Sequence, residues 1–275
     1  MRRLVLAVLA MLVSLSISVP TPAAAATAPE VGATEVAVLD ATTGALLYGK
    51  NEREAVHPAS LTKMVTALVA LEEGRLEDLV EVDVDSATMM RSTVMGLKPG
   101  MVLPLEDLLY GLMLPSGNDA ALAIGRHIAG SDSAFVTMMN QRVRWMGLTG
   151  TRFVNPHGLD NPDHLTTAED LARIARVAMQ NDQFVKLASA RAWTVRADPP
   201  YTVYNLNDLL GGYAGADGIK VGFTRRAGRA LAASATRNGH RMIVVVLHSP
   251  NPTAESARLL DWAFAQRRAG LLNPS

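Results

Sequence analysis

Ser60 and Lys63 stand three residues apart, a spacing that on a helix puts both side chains on one face and within reach of each other. A serine hydroxyl is a poor nucleophile until a neighbouring base takes its proton, and a neutral lysine amine can be that base. Neutrality near pH 7 requires a pKa several units below the usual lysine value, which burial and a second nearby cation both promote. Lysine usage draws attention to this position. Of 26 cationic residues only five are lysines, at positions 50, 63, 98, 186 and 220. Arginine is the default cation of the chain, and a guanidinium cannot give up its proton, so Lys63 and Lys220 are candidates for roles arginine cannot fill. Taken singly these signals are weak. Ser60 also fits a first-turn cap and Lys63 a solvated helix position. Ser116-Gly-Asn118 also fits an ordinary turn, and Lys220-Val-Gly222 is nearly uninformative.

Positioning these residues requires defined elements. Residues 34–51 read as two short apolar runs joined by Ala-Thr-Thr-Gly, a β-hairpin. Beyond Pro58 and Ser60, apolar residues at 61, 64, 65, 68, 69 and 71 follow helical spacing up to Gly74, so Ser60 falls in the first turn of a buried helix. From 77 to about 185 the pattern is mostly helical, clearest at 105–114, 120–129, 132–146 and 167–179, with turn chemistry between. Strands return at 192–195, 218–224, 229–236 and 242–247, the last two joined through Asn238-Gly239, a strong hairpin signal. An amphipathic helix covers roughly 254–267. Strands first and last with helices between predict an α+β fold: an antiparallel sheet flanked by helices, with a helical lobe inserted at about 77–185. Methionines at 89, 90, 95, 113, 138, 139 and 146 read as flexible core filler.

The first residues have the form of an export signal. Arg2 and Arg3 precede an apolar run from Leu4 to Val19, and Pro20, Pro22 and Ala23–Ala26 form a small-residue exit, with cleavage expected after Ala26. The run is shorter than the roughly 20 residues a spanning helix needs. Residues 27–275 then form one catalytic domain, exported to the periplasm, the cell wall or the medium, without a stable membrane anchor. The chain has no cysteine, which excludes thiol nucleophiles, Cys-ligated zinc and iron–sulfur clusters. Acidic and basic residues balance at 26 each with no basic block, so nothing suggests a nucleic-acid surface. No metal or other cofactor is called for.

Three blocks in order resemble the low-molecular-mass penicillin-binding proteins that act as serine D-alanyl-D-alanine carboxypeptidases. They are residues 57–72 around Ser60 and Lys63, residues 96–121 ending on Leu-Pro-Ser-Gly-Asn-Asp-Ala-Ala, and residues 217–228, Asp-Gly-Ile-Lys-Val-Gly-Phe-Thr-Arg-Arg-Ala-Gly. Asn155-Pro-His-Gly-Leu-Asp between the last two is also similar to that family, and the resemblance spans about residues 30–265. It implies the β-lactamase-like fold shared by penicillin-recognising serine transferases. It further implies that Ser60 forms an acyl-ester, Lys63 is its base and Ser116 relays a proton to the leaving amine. Asn118 would hold the substrate's peptide backbone, and Lys220 would attract its terminal carboxylate and depress the Lys63 pKa. The N–H groups of Ser60 and Phe223 would form the oxyanion hole. The implied substrate is a peptidoglycan stem peptide ending in D-Ala-D-Ala, with β-lactams as inhibitors. His157 reads instead as a turn histidine bonded to backbone.

Departures from the family pattern concern the carboxylate. The family's Lys-Thr-Gly is Lys220-Val221-Gly222 here, so its central hydroxyl is missing; the arginine that members often carry after the last strand is absent from 248–257. Loss of one charge-assisted hydrogen bond costs about 1.5–3 kcal/mol. Weaker recognition of a free C-terminus is therefore expected, with acylation retained and Thr224 as a possible compensating hydroxyl. Many relatives continue into a β-rich domain and an amphipathic anchor, which this chain is expected to lack. Alternatives within reach of the same residues are a DD-endopeptidase, a β-lactamase, for which no deacylating base is identifiable, and a weakly active penicillin-binding wall sensor.

Overall fold

The computed structural model describes residues 27–89 and 92–269; the expected export segment with its Ala26 cut, and Met90, lie outside the described residues. Nine strands and seven helices follow along the described chain. Strands β1 (Glu35–Asp40) and β2 (Leu46–Lys50) form the expected hairpin. A 3-10 turn, Ala59–Thr62, leads into α1 (Lys63–Glu73), which stops at Gly74. Then come β3 (Leu79–Glu81), β4 (Val102–Pro104), α2 (Leu105–Met113), α3 (Asn118–Ala129), α4 (Asp132–Trp145), α5 (Ala168–Ala178) and α6 (Asp182–Ser189). β5 (Ala192–Val195), β6 (Tyr201–Tyr204), β7 (Ala216–Thr224), β8 (Gly228–Arg237), β9 (His240–Leu247) and α7 (Pro252–Arg268) complete the chain.

One five-stranded sheet, ordered β2-β1-β9-β8-β7 and antiparallel throughout, carries the fold. β1 is apolar from Val36 to Leu39 and β9 from Met242 to Leu247 because both sheet faces are covered there. Ala37, Leu39, Ile243 and Val245 face one core together with Leu171 and Ile174 of α5. Val36, Val38, Val244 and Val246 face the other with Leu259, Leu260 and Phe264 of α7. β8 and β9 close through Asn238 and Gly239 with φ of 51° and 76°, left-handed values that a two-residue type I′ turn requires.

The segment 77–185 is helical as read, with additions and one change of emphasis. Its core is continuous with that of the sheet, running from Leu39 through Met64 and Val65 to Leu112, Ile124 and Met139, and α5 packs directly on β1 and β9. The β3–β4 ribbon, α6 and β6 are elements the sequence reading does not contain. Strands of three or four residues leave too little alternation to register as a period. Met95, Met113 and Met139 are buried in the core, as the filler reading expects. Among the described residues no helix is long and apolar enough to cross a membrane.

Candidate active site

A cleft of about 670 Å³ opens between the edge strand β7 and the start of α3, floored by the 3-10 turn before α1. Ser60 lies on that floor, Ser116 and Asn118 on one wall, and Val221 to Thr224 on the other. Lys63 and Lys220 sit behind these walls, fully buried. All three motifs thus converge, although 160 residues separate the first from the last in sequence.

Lys63 Nζ is 3.1 Å from Ser60 Oγ, 2.6 Å from Asn118 Oδ1 and 2.7 Å from the His157 carbonyl oxygen. Burial drives its pKa well below the usual lysine value, the charge of Lys220 lowers it further, and Asp119 opposes the shift. Burial also lowers Lys220, to about 7. Both effects expected for the Ser-x-x-Lys lysine are therefore present, with desolvation the larger.

The loop 155–160 delivers the His157 carbonyl. Asn155 accepts from the Gly158 N–H and donates to the Leu159 carbonyl, folding the loop on itself. Gly158 has φ of +92°, and a Cβ there would stand 1.8 Å from the Ala59 carbonyl oxygen, so only glycine lets the loop lie against the turn that carries Ser60. His164 fixes the same turn from below. Its Nδ1 accepts from Val154 N–H, so its Nε2 carries the proton and donates to Thr62 Oγ1 at 2.8 Å. Burial pushes His164 down to about 4 and His157 to about 3. The imidazole of His157 accepts from Leu159 N–H, a turn role as read, but its carbonyl is a contact of Lys63. Backbone atoms carry no residue-type signal, which is why sequence reasoning missed this one.

Ser116 is buried with φ of +66°, and its Oγ has no hydrogen-bond partner among the described residues. Thr93 Oγ1 donates to its carbonyl, and the buried Asp119 carboxylate accepts from the N–H groups of Met95, Gly96 and Leu97, pinning this turn to the start of α3. With Oδ1 of Asn118 on Lys63, its Nδ2 is the donor left for the cleft. On the opposite wall a Cβ at Gly222 would press within 2.7 Å of Leu61 and 3.3 Å of Ser60 N, so glycine allows β7 to approach Ser60. Phe223 is 66% exposed, and the exposed Leu159 and Leu206 line the same cleft.

Thr224 lines the cleft, but its hydroxyl donates to Asp160 Oδ1 at 2.5 Å and accepts from Ala227 N–H, so it is engaged with the 155–160 loop. The 248–257 segment supplies Asn251 and Thr253 to the cleft and no cation. An arginine reaches it from elsewhere: Arg229 at the start of β8. Its position in the strand turn gave no motif to find it by.

Residues 22–251 match the family model described as D-alanyl-D-alanine carboxypeptidase. The chain is 34% identical over 244 residues to D-alanyl-D-alanine carboxypeptidase DacF of Bacillus subtilis, covering 85% of this chain and 62% of that protein. It is 35% identical over 237 residues to DacB2 of Mycobacterium tuberculosis, covering 83% and 81%. Among solved structures it is similar to the Streptomyces K15 DD-transpeptidase, with a TM-score of 0.81, 30% identity and coverage of 87% and 100%. Penicillin-binding protein 5 of Haemophilus influenzae superposes with a TM-score of 0.82 at 34% identity, covering 87% and 73%. The chain thus spans about three fifths of the B. subtilis relative's length.

Proposed function

The chain belongs to the D-alanyl-D-alanine carboxypeptidase family, and on that premise we propose that it removes the terminal D-alanine from peptidoglycan stem peptides through a Ser60 acyl-enzyme, acting outside the cytoplasm. The observation that carries this reading is the buried Lys63 amine, 3.1 Å from the Ser60 hydroxyl and held by two carbonyls.

Ser60 Oγ attacks the carbonyl carbon of the penultimate D-alanine while its proton passes to Lys63 Nζ. The N–H groups of Ser60 and Phe223 are assigned to the tetrahedral oxygen, donors fixed in advance where negative charge develops. The unpartnered Ser116 hydroxyl then hands a proton to the departing D-alanine nitrogen as the C–N bond breaks, and takes one from the lysine side. Water attacks the ester, Lys63 accepts its proton, and Ser60 is released. Asn118 Nδ2 holds the substrate's backbone, and Lys220 lends positive charge toward its carboxylate. β7 is a sheet edge, so an extended peptide can lie along it as an added strand. A β-lactam carbonyl would meet Ser60 in the same way and leave a stable ester.

DD-endopeptidase activity is a second reading, favoured by Val221, which offers no hydroxyl to a terminal carboxylate. Incubating the protein with labelled penicillin and with a pentapeptide ending in D-Ala-D-Ala, with Ser60→Ala as control, tests both readings. Labelling plus released D-alanine, both lost in the variant, is the expected result. Labelling without D-alanine would sink the carboxypeptidase reading.

A further inference from the structure

We propose that Arg229 is the residue that grips the substrate's terminal carboxylate, in place of the hydroxyl that Val221 lacks; this rests on the acyl-enzyme reading above. Register pairs Val221 with Leu231 and Phe223 with Arg229, so Arg229 is the diagonal neighbour of Val221 on the same face of the β7–β8 pair. Diagonal neighbours stand roughly 7–8 Å apart, within reach of a long side chain. Arg229 and Val221 line the cleft together.

The guanidinium is available for a ligand. Among the described residues Arg229 has no ion pair; its one side-chain hydrogen bond is from Nη1 to the Pro250 carbonyl oxygen at 3.4 Å, and its main chain is held separately, its carbonyl accepting from Ser249 N–H. The other cations of the site are buried amines, and of these Lys220 Nζ donates to the Val221 carbonyl at 3.3 Å. Two acidic groups stand nearby. Asp160 is satisfied by Thr224 Oγ1 and Arg226 N–H, and Asp208 lines the cleft, exposed, without an ion pair among the described residues. Arg229 is therefore the cleft's one solvent-accessible cation among the described residues, and its planar fork matches a carboxylate in bidentate geometry. An anchor at this point would favour peptides that end here over those that continue, setting carboxypeptidase against endopeptidase use.

The test compares acid with masked acid at one nucleophile. Single-turnover acylation of Ser60 is measured with a labelled penicillin and with its methyl ester, and release of the C-terminal residue is measured as D-alanine from a peptide ending in D-Ala-D-Ala and as D-alaninamide from its C-terminal amide, for wild type, Arg229→Leu and Arg229→Lys. The wild type should prefer the acid in both pairs. Arg229→Leu should shrink that preference about 10- to 100-fold, the factor carried by a charge-assisted hydrogen bond, and Arg229→Lys should restore part of it. An unchanged acid-to-ester ratio in Arg229→Leu overturns the assignment, as does equal loss on both members of a pair. If wild type is acylated by penicillin but frees no D-alanine, the carboxypeptidase reading fails while the acid-to-ester ratio still decides the role of Arg229. If no acylation occurs at all, both fail.

Discussion

The amine of Lys63 faces the hydroxyl of Ser60 at 3.1 Å with its other two directions taken by carbonyl oxygens. A neutral amine has two N–H donors and one lone pair. Asn118 and His157 take the donors, which leaves the lone pair aimed at the Ser60 proton. An ammonium would fill all three contacts as donors, but burial and the charge of Lys220 oppose it.

Acylation should therefore rise with pH as Lys63 loses its proton, then level off. With a substrate that carries a free carboxylate, an alkaline limb should follow, because Lys220 gives up its charge around pH 7. The two lysines titrate as a coupled pair, so the limbs report the pair. Single-turnover rates from pH 5 to 9 check this, and Lys63→Met should lower the plateau about 10²- to 10⁴-fold, the usual worth of a positioned base. A profile falling from pH 5 upward would contradict a neutral Lys63.

Gly158→Ala should be costly twice over. The substitution places a methyl on the Ala59 carbonyl and holds alanine at φ of +92°. Backbone strain of that kind costs about 2 kcal/mol or more. Melting should fall by roughly 4–8 °C for a domain of this size. Acylation should also slow, because the displaced loop carries the His157 carbonyl that holds Lys63. Unaltered melting would mean that the loop moves away without penalty.

Much of this was legible in the sequence. The β1–β2 and β8–β9 hairpins, α1 with its glycine stop, and α7 follow from periodicity and turn residues whose φ values the structure bears out. Side chains with a chemical signature, Ser60, Lys63, Ser116, Asn118 and Lys220, could be named because the motifs arrive together and in order. The His157 carbonyl could not, since every residue has one. Nor could Arg229, which matters only through its register opposite Phe223. The occupation of Thr224 by Asp160 was equally hidden, being a contact across 64 residues.

That contact shapes the next expectation. Thr224→Val should loosen the 155–160 loop and slow acid and masked-acid substrates alike, because the hydroxyl serves Asp160. Val221→Thr should instead raise kcat/KM for peptides with a free C-terminus by about 10-fold, one charge-assisted hydrogen bond, and leave the amide unaffected. Steady-state assays on both peptides separate the two. Selective loss of the acid substrate in Thr224→Val would return to Thr224 the carboxylate role first considered for it.

Acid should destabilise the protein through His164. Its folded pKa is about 4, below the ordinary imidazole value near 6.5. Between these values the unfolded chain binds the proton and the folded one does not, so stability falls as pH drops from 6.5 toward 4. His157, held at about 3, adds a slope of the same sign. His164→Gln can still donate to Thr62, and it should flatten the denaturant-midpoint profile in that window. An equally steep profile in the variant would assign the acid sensitivity elsewhere.

Lys220 offers the reverse case, in which the site works against the fold. Its amine is buried without a carboxylate partner among the described residues, and its pKa is about 7 against an ordinary value near 10.4. Below pH 7 the folded state must hold a buried charge. From 7 to about 10.4 it is neutral while the unfolded chain is still protonated, and the penalty shrinks as pH rises through that window. Replacing Lys220 with methionine removes the penalty while keeping most of the volume, so Lys220→Met should melt higher than wild type at pH 7, by about 4 °C or more, and the advantage should diminish toward pH 10. The same variant should acylate far more slowly, because Lys63 loses the neighbour that helps keep it neutral. Paired melting curves and penicillin-labelling rates at pH 7 and 9.5 check both halves. A less stable variant would mean that the Lys220 contact with the Val221 carbonyl stabilises the fold by more than the buried charge costs it.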